Sequence, residues 1–286
     1  MKVWIEAARP RTLTAALSPV IVGTAAAERF IVWRALAALI VSFGMQIGVN
    51  YANDLFDAKR GVDTTERVGP RRATASGLVT PKQMKGAMFA AFGIACVAGL
   101  ALAAAVGWEL VIVGALSVIA ALAYSGGKRP YASYGLGEVF VFVFFGLVAT
   151  AGSAYVQDER LTKIAYVAAL PVGLLAVAIL VVNNLRDVST DEASGKRTLA
   201  VRVGASRTRL LYEALIFIAF IYTPVVAAVD ESYMPLIGLV AVPFAVRPVS
   251  LVLRRDDPPS LIEALGGTAR LQLLFSVLLA AGLWAS

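Results

Sequence analysis

Nine apolar stretches succeed one another along the chain, near 12–28, 33–56, 83–106, 108–124, 137–156, 163–185, 207–228, 233–252 and 266–285. Each is close to the about 17 to 25 residues that carry a helix across the hydrocarbon of a bilayer. A backbone in hydrocarbon must satisfy its N–H and C=O groups internally, and a helix of that length does so. The pattern predicts an all-α polytopic membrane protein with about nine transmembrane helices. Composition agrees: of 286 residues 59% are hydrophobic and only 16% charged, where a soluble domain carries about 25%. Pro19 in the first stretch and Pro235, Pro243 and Pro248 in the eighth predict tilts or kinks. Gly107 separates the third and fourth as a tight hairpin. No low-complexity tract or soluble insert interrupts the series, so residues 1–286 read as a single transmembrane domain.

The polar residues are distributed unevenly. The net charge of +7 rests on 26 Lys and Arg, of which only Arg29, Arg34, Arg160 and Lys163 fall at one set of span ends. The positive-inside rule then predicts a multi-pass protein of the cell (inner) membrane with a cytoplasmic N-terminus and an external C-terminus. The basic balance is thus mostly topology, and nucleic acid is not needed to explain it. Connections on the cytoplasmic side are long and polar (57–82, 125–136, 186–206 and 253–265), as functional loops tend to be. With one Cys and no His, an internal disulfide and a Cys/His zinc site are excluded. Any metal must be held by oxygen, which suits Mg²⁺ or a similar hard cation. The first residues lack a small-residue cleavage site, so no cleaved signal peptide is expected.

Against this background two span ends are crowded with carboxylates and amides. Asn50, Asn53, Asp54 and Asp57 stand at i, i+3, i+4 and i+7, one helix face, and Asp63 follows past Gly61. Asn183, Asp187 and Asp191 share a face at the end of the sixth stretch, and Gly195, Lys196 and Arg197 come next. The first region has the same order, with Arg67, Arg71 and Arg72 after its glycine, a hint of internal duplication. Five carboxylates around one cavity cannot all ionise without cations between them, and an acid in a span already costs about 2.5–3.5 kcal/mol. Divalent cations resolve the conflict, and carboxylate-bound Mg²⁺ keeps positions for substrate phosphates. Neighbouring Arg and Lys neutralise what phosphate charge remains. The combination describes a diphosphate site at a membrane face. With an allylic isoprenoid as the other half of the substrate, departure of diphosphate leaves a delocalised cation that aromatic faces stabilise, and an apolar bundle holds the tail.

These motifs, N-x-x-N-D-x-x-D with a third Asp at 63 and D-x-x-x-D at 187–191, resemble the UbiA superfamily of intramembrane prenyltransferases. Within it, A-R-P-R-T-L (8–13), G-V-D-T-T-E-R-V-G-P (61–70), Y-S-G-G-K-R-P-Y (124–131) and G-K-R-T-L-A-V-R-V-G (195–204) are most similar to the 1,4-dihydroxy-2-naphthoate branch of menaquinone synthesis. Asp63 stands later than the third Asp of the general pattern, which fits that branch. The resemblance implies nine helices around a central cavity open to the cytoplasmic face, with a lateral route to lipid. It implies two Mg²⁺ ions bridging a polyprenyl diphosphate, held by Asp54, Asp57, Asp63, Asp187 and Asp191. Asn50, Asn53, Asn183 and Arg186 would assist substrate binding, and Lys128, Arg129, Lys196, Arg197, Arg67 and Arg71 would meet the diphosphate. Tyr124 and Tyr131 would face the carbocation or the acceptor, and Arg9 or Arg11 the acceptor's carboxylate. The implied reaction replaces the carboxyl group of 1,4-dihydroxy-2-naphthoate with the prenyl chain, releasing CO₂ and diphosphate.

Plainer readings stand beside these. Another aromatic acceptor within the superfamily is one alternative. A secondary transporter with intramembrane Asp is another, although transporter charges lie near the midplane and these lie at span ends. Tyr124 and Tyr131 serve equally as interfacial aromatics, Glu138 as a helix N-terminal charge and Gly126–Gly127 as a turn. The phenylalanines of 140–145 are expected to pack or face lipid rather than cradle a substrate.

Overall fold

The computed structural model describes residues 1–61 and 72–286, and every regular element among them is helical. A short helix α1 (Lys2–Ala8) precedes α2 (Thr14–Ala25), α3 (Val32–Lys59), α4 (Pro81–Val106), α5 (Glu109–Ser125), α6 (Gly137–Asp158), α7 (Lys163–Arg186), α8 (Ala205–Val229), α9 (Met234–Arg254) and α10 (Pro258–Ala285). All nine apolar stretches are therefore helical. Seven of them, α3, α4 and α6 to α10, are long and apolar enough to cross a membrane, while α2 and α5 are shorter, with 12 and 17 residues. The chain is an integral membrane protein. The short second helix contains Pro19, and α9 opens as a 3₁₀ turn over Met234–Ala241 before its α-helical part, so prolines mark both irregular spans.

Helix starts follow capping chemistry. Thr80 accepts from the Gln83 N–H while the Gln83 side chain returns to the Thr80 N–H, and Pro81 fills the first turn, a reciprocal capping box. Thr162 and Asp257 likewise cap α7 and α10, each accepting a backbone N–H of the first turn. Helix α7 is the central staff, with Val172, Leu175, Ala178, Val181 and Val182 at 1% exposure or less. Close approach there depends on glycine. A Cβ on Gly146 would lie 2.7 Å from the Gly173 Cα, so α6 meets α7 backbone to backbone. At that contact α6 is a π-helix over Phe142–Val148.

Side chains tie the helix ends into two faces. At one face Ser125 donates to Asn53 Oδ1 at 2.7 Å, Asn184 to Glu138 Oε1 at 2.9 Å, and Asn50 to the Ala8 carbonyl at 2.8 Å. At the other face Asp158 accepts from the Glu28 and Arg29 N–H groups at 3.0 and 2.9 Å, and Arg34 reaches Glu159 at 2.9 Å and the Val156 carbonyl at 3.0 Å. Phe30 and Trp284 meet edge to face there, 5.0 Å between centroids. Helix α5 stands apart from this tight construction. Val111 to Leu116 are six consecutive exposed residues, more than one helical turn, although the helix still packs on α3 and α4.

Candidate active site

Between α5 and the rest of the bundle lies a cavity of about 680 Å³. One end is polar, lined by Arg9, Gln46, Asn50, Asn53, Tyr124 and Asn183; most of the remaining wall is aliphatic or aromatic, down to Val20, Leu110 and Val156. The polar end is the face that gathers both Asp motifs. Rings run down one side: Tyr124 meets Tyr131 edge to face at 5.4 Å, Tyr131 stacks on Phe140 at 3.9 Å, and Phe140 on Phe144 at 6.1 Å. Burial pushes the Tyr131 phenol well above the ordinary tyrosine range, so it stays an O–H donor at neutral pH.

All four Asp residues of the two motifs that the structure describes are buried, and each is held by a specific partner. Asp54 accepts from the N–H groups of Ala73 and Thr74 at 2.9 and 2.8 Å, anchoring the chain that leads to α4. Asp57 pairs with Arg60 at 2.7 Å and with Arg72 at 3.4 Å. Asp187 receives Nε and Nη2 of Arg186, both at 2.7 Å, and the same guanidinium holds Asn183 Oδ1 at 3.0 Å. Asp191 pairs with Lys196 at 3.3 Å.

The sequence-derived residues separate into groups. Arg9, Asn50, Asn53, Tyr124, Tyr131 and Asn183 line the cavity. Asp54, Asp57, Asp187, Asp191, Arg186 and Lys196 are not lining residues; they follow the lining Asn50, Asn53 and Asn183 at the ends of α3 and α7, held in the pairs described above. Arg11, Lys128, Arg129 and Arg197 are exposed and are not among the lining residues. Asp63, Arg67 and Arg71 lie outside the described residues. The expectation for the phenylalanines is corrected: Phe140, Phe144 and Phe145 are cavity wall, three residues that share one face of α6 at ordinary helical spacing. Three further contributors were not singled out from the sequence, Thr12, Gln46 and Ser125, while Arg72, noted there only as one of the cations after the first motif, pairs with Asp57. Gln46 stands four residues before Asn50 and so extends its face, the one hint available.

The donor chemistry fits a hard divalent cation. Every acid at the mouth is a carboxylate, there is no histidine in the chain, and clustered buried carboxylates suit Mg²⁺. Among the described residues no three acids stand close enough to form a ready-made cage. An ion here would be shared between carboxylates and a bound anion, which is how Mg²⁺ is usually held in phosphate sites.

An apolar cavity inside a helical membrane bundle, polar at the end where two Asp-bearing helices finish, suits an amphipathic ligand with an anionic head. The model of the UbiA prenyltransferase family matches residues 16–284, and the chain belongs to that family. Among its relatives, 1,4-dihydroxy-2-naphthoate octaprenyltransferase of Mycobacterium tuberculosis is 41% identical over 283 residues, covering 98% of this chain and 96% of the relative. The Escherichia coli protein of the same name is 37% identical over 293 residues, covering 99% and 95%. A UbiA homologue from Archaeoglobus fulgidus, solved bound to GPP and Mg²⁺, shares the fold with a TM-score of 0.67 at 16% identity, covering 97% of this chain and 99% of that one.

Proposed function

We propose that this protein transfers a polyprenyl group from polyprenyl diphosphate to 1,4-dihydroxy-2-naphthoate, with loss of CO₂ and diphosphate, as a single transmembrane domain spanning residues 1–286. The observation that supports the reading is the cavity: its polar end is lined by Asn50, Asn53 and Asn183, the asparagines of the two Asp motifs, and its depth is hydrocarbon and aromatic rings. The names of relatives that are 41% and 37% identical over nearly the whole chain support the choice of acceptor.

Asp54, Asp57, Asp187 and Asp191, with Asp63, are the residues that would hold Mg²⁺, as two ions. Bound there, the metal supplies charge stabilisation to the departing diphosphate. Arg186 and Lys196 exchange their carboxylate partners for phosphate oxygens, Arg186 in its bidentate geometry. Lys128, Arg129 and Arg197, together with Arg67 and Arg71, are the further candidates for contacts to the diphosphate. Tyr124, Tyr131 and Phe140 present ring faces to the allylic cation and keep water from it. Arg9 or Arg11 receives the acceptor's carboxylate. The positive-inside bias places the mouth at the cytoplasmic face of the cell membrane, with the N-terminus inside, the C-terminus outside and nine crossings, α2 and α5 being the short ones.

The test is direct. Purified membranes given Mg²⁺, radiolabelled polyprenyl diphosphate and 1,4-dihydroxy-2-naphthoate should yield a labelled naphthoquinone that EDTA abolishes. Absence of label above the EDTA control defeats the proposal, and a different acceptor giving the product moves it to another branch of the family.

A further inference from the structure

The reaction proposed above leaves one part of the cavity wall without a task. Gln46 lies on α3 a full turn deeper than Asn50, in the apolar part of the span, and is buried to 8% exposure. An amide placed there costs free energy unless its polar atoms are used. Its Nε2 donates to Thr12 Oγ1 at 3.2 Å, and Asn50 Nδ2 donates to the same oxygen at 3.3 Å and to the Ala8 carbonyl at 2.8 Å. The Thr12 hydroxyl spends its single proton on the Arg9 carbonyl at 2.9 Å, so towards both amides it can only accept. That fixes the flip of both side chains. Their nitrogens face Thr12, and their carbonyl oxygens, which accept nothing from the described residues, belong to the cavity wall.

Two carbonyl acceptors four residues apart on one helix face are separated by about 6 Å along the axis. This is comparable to the spacing of two hydroxyls placed para on an aromatic ring. Nearby, Asn53 Oδ1 already accepts from Ser125, which turns its amide nitrogen away from that hydroxyl. Arg9, which also lines the cavity, brings a cation to the same end. The wall therefore offers two acceptors in line and a cation beside them.

We propose that Gln46 and Asn50 receive the two ring hydroxyls of the acceptor, so that the feature recognised is a para-diol rather than a lone phenol. Thr12 is a positioning residue that holds both amides in register. This inference rests on the proposed prenyl transfer and specifies its acceptor subsite.

The experiment compares wild type with Gln46→Met, which keeps the length of the side chain and removes its polar atoms. It measures KM for 1,4-dihydroxy-2-naphthoate, KM for polyprenyl diphosphate, and the inhibition constants of 1-hydroxy-2-naphthoate and 4-hydroxy-2-naphthoate. Loss of one hydrogen bond is expected to raise the acceptor KM about tenfold, with the donor KM unchanged as the control for an intact site. The same variant should lose its preference for the diol over one of the two monohydroxy compounds. Thr12→Val should show the acceptor effect in weaker form. A Gln46→Met enzyme that discriminates diol from both monohydroxy compounds as wild type does overturns the inference, as does an equal rise in donor and acceptor KM. A wild-type protein that makes no product from the diol fails earlier, and overturns the parent reaction together with the subsite.

Discussion

Asp54 takes part in two structures at once, because both its carboxylate oxygens accept backbone N–H groups of the segment leading to α4. An amide can accept at only one of those positions. Asp54→Asn should therefore abolish turnover and also lower stability, by about 1–3 kcal/mol, seen as an earlier thermal transition in detergent. Asp187 is gripped by the guanidinium of its own neighbour, Arg186, and Asp187→Asn should likewise abolish turnover. Near-normal activity in either variant removes that residue from the metal site. Tyr131 gives a pH prediction. Its phenol is raised by burial, so it is protonated from pH 6 to 9 and adds no ionisation there. Tyr131→Phe should lower the rate but keep the shape of the wild-type pH profile across that range; a profile that loses its alkaline limb contradicts this. The Asp faces were legible in sequence because four polar residues at helical spacing are costly in an apolar run and persist there only for a use. Gln46 and Ser125 were not, since a lone amide or hydroxyl forms no pattern. Arg72 was hidden among cations that topology already explained.

The elements divide between those that sequence rules place and those that a local irregularity rearranges. Thr80 and Gln83 announce the start of α4, and Thr80→Ala should cost about 1 kcal/mol, measurable as a lower unfolding temperature with unchanged KM values. Helix α6 is the opposite case. Its apolar content locates it correctly and helical spacing puts Phe140, Phe144 and Phe145 on one face, but an apolar face reads the same whether it meets cavity, lipid or protein; a π stretch at Phe142–Val148 is the irregularity that spacing did not announce. The stretch sits where Gly146 meets Gly173. Gly146→Ala should force those backbones apart, at a cost of about 1–3 kcal/mol. Because the same turns carry Phe144 and Phe145, it should also raise KM for the long donor more than for the acceptor. Equal KM values with a lowered melting point would confine the glycine to packing.

At the scale of the molecule the two faces have different duties. One holds buried carboxylates with exchangeable cationic partners; the other is locked by Asp158, Arg34 and their backbone bonds. Asp158→Ala would leave two N–H groups without acceptors and should destabilise by about 2–4 kcal/mol without altering either KM. The nine helical stretches and the gathering of both motifs at one face were readable from hydropathy and spacing. The standing-off of α5 was not, because its residues are apolar whether they touch lipid, cavity or protein. That isolation has a consequence for the product. Over residues 111–116 the partition is one helix thick and exposed, a poor ruler. A tail too long for the cavity passes from one hydrocarbon to another, protein to bilayer, and each added isoprene unit gains or loses little by the passage. Under the proposed reaction, donors that differ only in tail length should be turned over with similar KM, a series that an activity assay measures; a sharp optimum at one length would show that the cavity does measure the tail.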